Sequence, residues 1–191
     1  MRCLSCHRLS WRVICADCHA RLFVPTTTRR KVGTLEVVSL FKYKNIEPFL
    51  LTKHTPAGYR LYRYFSKAFF KPFLDDFASH IDMPVTLVAI DERVTHGYAH
   101  TALLSHYAQS PKILSVHSAL LAQNRVHYAG KSLQFRLDHP RDFRYTGEKG
   151  IEVILIDDII TTGVTLQEAQ QELQRHGVEV LFALTLADAR D

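Results

Sequence analysis

Between Ile151 and Thr165 the chain reads Ile-Glu-Val-Ile-Leu-Ile-Asp-Asp-Ile-Ile-Thr-Thr-Gly-Val-Thr, and no other stretch limits the possible folds as strongly. The run from Ile151 to Ile156, apolar but for Glu152, suits a strand buried on both faces. Two adjacent carboxylates, Asp157 and Asp158, follow at its C-terminal end. A Thr/Gly turn then opens a helix expected over Leu166 to His176, with Gly177 as its stop, before a second apolar strand from Val178 to Ala187. Strand, helix and strand with apolar strands imply a parallel sheet and an α/β fold. In open sheets of this kind ligands sit at the C-terminal edge of the strands. Free amides in the turn and at the helix N-terminus attract an anion such as phosphate. Gly163 lets the backbone approach closely, and the hydroxyls of Thr161, Thr162 and Thr165 add donors. Two carboxylates beside such a cradle would repel a bare anion. They fit a ligand whose sugar hydroxyls they accept from while the cradle holds a phosphate on the same sugar. The dinucleotide and Walker A fingerprints are both absent. A helix cap would explain one aspartate, but not the whole array.

The four cysteines all lie in the first 18 residues, as Cys3-x-x-Cys6 and Cys15-x-x-Cys18. The N-terminus lacks the apolar core of a secretory signal, and no apolar run approaches the ~18 residues of a membrane span. The chain is therefore expected to be cytoplasmic, where thiols stay reduced and paired cysteines read as metal ligands. Each pair can give two thiolates to one tetrahedral zinc, closing a structural site without an open position. The short spacing between the pairs predicts a compact hairpin through Leu9, Trp11, Val13 and Ile14. His7 and His19 each follow a cysteine, but four sulfurs leave them no vacancy.

Charge divides the chain unevenly. Residues 1–84 hold 14 Lys/Arg against 6 Asp/Glu, a net +8, while residues 85–191 hold 10 against 13, a net −3. The N-terminal part is thus a candidate for polyanion contact. We expect a small four-cysteine zinc finger over residues 1–24, a basic connector over 25–33, and a larger unit over 34–191. Leu35 to Phe41, Val85 to Ile90 and Lys112 to Val116 read as strands, with a helix from about Tyr98 to Tyr107. Thr55 and Pro56 start a helix that should stop near Lys71, ahead of Pro72. Residues 120–149 read as irregular or weakly paired. In the predicted helix Tyr62, Phe65 and Phe69 share a face expected in the core. Arg60, Arg63, Lys67 and Lys71 share another, which suits either a solvated face or phosphate contact. Lys42 and Lys44, at a strand end, are better placed to meet a ligand or nucleic acid. His96 and His100 sit four apart but lack a third metal ligand.

Residues 153–165 resemble the phosphoribosyl pyrophosphate (PRPP) motif of type I phosphoribosyltransferases. That resemblance implies a phosphoribosyltransferase-like domain over 34–191. It places Asp157 and Asp158 at the ribose, and Thr161, Thr162, Gly163, Val164 and Thr165 at the 5′-phosphate, with Mg²⁺ accompanying PRPP. Together with the cysteine pairs, the chain is similar to the ComF family of competence proteins over nearly its whole length. Weaker echoes lie at Leu40-Phe41-Lys42-Tyr43-Lys44 and from Arg125 through Arg136 to Phe143. The family usually carries a proline-rich segment and then Arg-Gly-Phe-Asn-Gln. Here Val88-Ala89-Ile90-Asp91-Glu92 and His96-Gly97-Tyr98-Ala99-His100 stand instead, which argues against tight pyrophosphate binding and hence against turnover. The resemblance implies a cytoplasmic protein, or one peripheral at the inner membrane, that handles single-stranded DNA during natural transformation. Lys42, Lys44, Arg60 and Arg63 are its candidate DNA contacts, and a DNA-uptake helicase or recombination proteins its implied partners. An active phosphoribosyltransferase and a PRPP-sensing regulator are the alternatives that the Asp157–Asp158 loop alone would suit equally.

Overall fold

The computed structural model describes residues 1–90, 94, 97–124, 126, 128 and 130–190. Its centre is β7 (Glu152–Ile160), an apolar strand whose residues are buried alternately on the two faces of a sheet. Parallel neighbours flank it: β8 (Glu179–Asp188) on one side and β3 (Val85–Ala89) on the other. The six-stranded order is β1-β2-β8-β7-β3-β4, with β2 (Leu35–Lys42) and β4 (Ile113–Val116) also parallel to their inner neighbours. Only β1 (Thr28–Val32) runs antiparallel, against β2. The α/β reading with a mostly parallel sheet therefore holds.

Period-two alternation sends Ile154 and Ile156 into one core and Val153 and Leu155 into the other. The first core is covered by α2 (Tyr43–Leu50), α3 (Pro56–Phe65), α4 (Lys71–Ala78) and α5 (His100–His106). The second lies under α7 (Val164–Arg175) and a small hairpin of β5 (Leu120–Ala122) and β6 (Phe143–Tyr145). Tyr62, Phe65 and Phe69 are buried as the helical spacing required. Two other helices complete the described chain, α1 (Ala16–Leu22) after the second cysteine pair begins and α6 (Leu133–Asp138) within the 120–149 stretch. That stretch is thus partly regular, although its strands are only three residues long.

Two local expectations are corrected. The stretch expected as a connector carries β1, because Arg30 is drawn inward to Asp188 (Nε–Oδ2 3.2 Å) and Val32 is buried, giving a strand alternation that the basic composition hides. The helix does not stop at Lys71 either. A π-helical turn over Ser66–Phe70 intervenes, the Lys71 amide reaches back five residues to the Ser66 carbonyl, and Pro72 falls in the first turn of α4, where no donor is required. Asp91, Glu92, His96 and Arg125 lie outside the described residues. Among those described, no helix is long and apolar enough to cross a membrane.

Candidate functional site

Beyond its pairing with β3, β7 delivers Asp157 and Asp158 to the floor of a cavity of about 590 Å³. The two neighbours have opposite surroundings. One oxygen of buried Asp158 receives Lys53 Nζ at 3.0 Å, the Tyr62 hydroxyl at 3.1 Å and His100 Nε2 at 3.4 Å. Burial alone would raise the Asp158 pKa. The charges of Lys53 and His100 outweigh it and hold the carboxyl well below the usual carboxylate range. Asp157 is pushed well above that range, by burial first and then by the charge of Asp158. Its Oδ1 accepts the Asp158 amide at 2.8 Å. Asp158 is thus an ionised anchor, and Asp157, half-buried at the cavity beside it, feels the charges of Arg141 and Lys53 without their offsetting burial and the charge of Asp158.

The turn after β7 follows from Gly163, whose φ of +87° lies in the left-handed region. A Cβ there would stand 2.5 Å from Val32 Cγ1, so β1 closes against this turn. Gly163 is also the N-cap of α7 and has no side chain to satisfy the first-turn amides; the Val164 amide makes a long contact with Thr162 Oγ1 at 3.5 Å, and the turn end of the helix favours an anion. Arg136 Nη1 donates to Thr161 Oγ1 at 2.7 Å, and Arg30 Nη2 donates to the Thr161 carbonyl at 2.5 Å. Tyr128 presents its ring to Arg136 at 5.3 Å and to Arg141 at 4.8 Å. The Thr161–Gly163 turn thus lies beside an arginine pair ordered on one aromatic ring. Gly163→Ala should lower stability by roughly 1–3 kcal/mol, through left-handed strain and the clash with Val32. The check is thermal denaturation, where the midpoint should fall by several degrees.

Of the residues expected at this site, Asp157, Asp158, Thr161 and Thr165 line the cavity, and Thr162, Gly163 and Val164 form the turn between them. Sequence reasoning missed Lys53, Tyr128 and Arg141 as cavity residues, and it placed Tyr62 only in the core. Arg136 entered only within a stretch of weak resemblance, and His100 only in an incomplete metal pair. The four basic candidates do not converge. Lys42 and Lys44 flank Tyr43, which lines this cavity, whereas Arg60 and Arg63 line a second one.

At the N-terminus the Sγ atoms of Cys3, Cys6, Cys15 and Cys18 lie within 4.8 Å of one another, a set that could hold a metal ion. The Cys6–Cys15 separation of 3.7 Å is close to the ~3.8 Å edge of a tetrahedron with ~2.3 Å metal–sulfur bonds. Backbone amides already solvate sulfur: Cys15 N at 3.3 Å and Ser5 N at 3.4 Å point to Cys3 Sγ. Burial works to raise the Cys3 pKa, but the amides of Cys15, Cys6 and Ser5 bring it down to about 6. His19 is engaged elsewhere, its Nδ1 2.5 Å from the Tyr64 hydroxyl. Cys3, Ile14, Cys18 and Phe23 share one core with Leu61, Phe65 and Phe69, so the element is packed directly onto α3 and the turn beyond it.

No curated protein matches the chain in sequence. Among solved structures it is similar to the UMP synthase of Leishmania donovani, at 17% identity and a TM-score of 0.40, over 73% of this chain and 24% of that one. A hypoxanthine phosphoribosyltransferase from Staphylococcus aureus aligns at 17% identity and a TM-score of 0.42, over 66% of this chain and 64% of that one. A phosphoribosyltransferase from Corynebacterium diphtheriae aligns at 13% identity and a TM-score of 0.42, over 92% and 83%. The chain thus spans about a quarter of the first of these proteins and just under two thirds of the second. A family model described as the phosphoribosyl transferase domain matches residues 71–191, more than half of the sequence and all of the Asp157–Thr165 loop. The chain belongs to the phosphoribosyl transferase domain family.

Proposed function

We propose that this protein is a single-stranded-DNA-handling member of the ComF family whose phosphoribosyltransferase domain binds PRPP. The observation that carries PRPP binding is the juxtaposition of Asp157 and Asp158 with the Gly163 turn, beneath Arg136 and Arg141. The ribose hydroxyls would be accepted by the carboxylates, and the 5′-phosphate would take the amides and hydroxyls from Thr161 to Thr165. Mg²⁺ would arrive with PRPP, since that ion is usually held by one or two carboxylates together with phosphate oxygens. Asp157, which lines the cavity beside the ion-paired Asp158, is the carboxyl suited to it. Zinc is the ion suited to the four thiolates, and its closed coordination would make it a structural staple.

The DNA role rests on the resemblance and on charge. Net +8 over residues 1–84 favours polyanion contact, and no element among the described residues is shaped to read a groove. Transfer of the ribose phosphate to a base is the second reading, favoured by the intact loop; a PRPP-sensing regulator would use the same site. Parallel titrations with PRPP and with single-stranded oligonucleotides separate them. DNA affinity should fall with salt at a log–log slope of about −0.7 per phosphate contacted. Charge reversal at Arg60 or Arg63, which line the second cavity, should flatten that slope for all sequences alike. Absence of DNA binding at low salt, with ribose phosphate transferred to a base at enzymatic rates, would replace this reading with the second.

A further inference from the structure

Trp11, expected inside the cysteine hairpin, is 96% exposed, and its neighbour Leu9 is 83% exposed. The hairpin itself forms, held by the Leu4 amide to the Val13 carbonyl at 2.9 Å, but of its four apolar residues only Ile14 turns fully inward. Tryptophan is highly buried on average, so one standing clear of its own fold marks a surface with a use. Trp11 borders a groove of about 630 Å³ between the hairpin and α3. Arg12 stands beside it, and Tyr59, Arg60, Arg63 and Lys67 face it from the helix and the π-helical turn. No aspartate or glutamate lines this groove among the described residues. Arg63 and Lys67 are ordered over the Tyr107 ring, at 5.0 and 5.2 Å from its centroid. Four cations are therefore gathered around aromatic rings, with no acid in the groove wall to balance them.

We propose that this groove is the single-strand nucleic-acid site, with Trp11 as the platform on which a base stacks and Arg12, Arg60, Arg63 and Lys67 tracking the phosphates. The assignment rests on the DNA reading above and gives it a place distinct from the PRPP cavity. Charge selects a polyanion, and the aromatic platform selects one with exposed bases. A duplex keeps its base faces stacked inside and could offer the groove only phosphates. Of the four basic residues considered from sequence, Arg60 and Arg63 belong here, and Lys42 and Lys44 do not.

Trp11 is the only tryptophan in the chain, so intrinsic emission reports on this position alone. The test titrates oligothymidylate into the intact 191-residue chain, supplied with zinc, at low salt, following tryptophan emission together with the anisotropy of a labelled strand. Emission should be quenched saturably, in step with anisotropy, and recover on adding salt. Trp11→Ala should weaken binding about tenfold or more, and Trp11→Phe much less. Because Trp11 is exposed, both variants should melt as wild type does. Binding that leaves emission unchanged and survives Trp11→Ala would overturn the groove while leaving the DNA reading intact. Equal quenching by a duplex would overturn the stacking role. No binding by either readout would remove the DNA reading, and this assignment with it.

Discussion

Stripping the zinc proposed for the cysteine cluster, or introducing Cys15→Ser, is expected to lower the thermal midpoint by roughly 10 °C or more and to release residues 1–24 from the fold. Such a short segment closes little apolar surface of its own, so in elements of this kind metal binding supplies the folding free energy. Isolated zinc peptides gain about 10–16 kcal/mol from the ion. Only part of that reaches the whole chain, because the second core is built entirely from residues beyond the hairpin. The coupling runs through Phe23, which is buried and packs against Phe41, Phe49, Tyr64, Phe65 and Phe69. Releasing the hairpin uncovers that aromatic cluster, and solubility should fall with stability. A loss of about 3 kcal/mol suffices for the shift stated. Calorimetry with metal analysis checks it. Purified protein without stoichiometric zinc, with all four thiols titrating freely, would contradict it.

Asp157→Asn and Asp158→Asn should move stability in opposite directions while both weaken PRPP binding. The Asp157 carboxyl titrates above the ordinary carboxylate range, by burial and the charge of Asp158. Its favourable contribution is complete below that range and lost as pH rises through the folded value, so at neutral pH the charge is a cost. Asparagine keeps the acceptor for the Asp158 amide without the charge. It should stabilise the fold by roughly 0.5–2 kcal/mol at neutral pH, a gain that vanishes in acid. Asp158 is the reverse case. Lys53 and His100 hold its carboxyl low, so its contribution is present above the ordinary range and lost as pH falls through the folded value. Removing that charge strands Lys53 and His100, at a cost of roughly 2–4 kcal/mol, less than for a fully buried pair because Lys53 keeps some exposure. Thermal melts of both variants across a pH range from acid to neutral read out the two signs. A functional carboxylate that the fold tolerates at a cost is what a sugar-binding role would leave behind.

The β7–turn–α7–β8 unit was legible because its signals are local. An apolar run, paired acids, a Thr/Gly turn and a terminating glycine each act within a few residues. Lys53 and Asp158 are instead brought together from 105 positions apart, and neither residue carries a local mark of the other. Arg136 likewise reaches Thr161 from α6, a six-residue helix with no buried residue and hence no periodic trace in the sequence. Arg30 was hidden by its neighbours: Arg29 and Lys31 are exposed, and a run of three cations reads as solvated unless one finds a buried acid such as Asp188. Pro72 shows a local rule applied at the wrong register, since a π-helical turn moved the proline into a permissive first turn. Trp11 shows the limit of hydrophobicity itself, because an apolar side chain in a short hairpin can face a partner as well as a core.

Calorimetric titration of PRPP with Mg²⁺ asks whether the Asp157–Thr165 edge is a PRPP site. Wild type and the variant carrying both Asp157→Ala and Asp158→Ala would be compared well below their melting temperatures, with folding verified by circular dichroism. Each lost acceptor should cost about 1–3 kcal/mol, so the double variant should bind at least roughly 30-fold more weakly, if at all. Equal affinity in the two folded proteins would contradict the assignment.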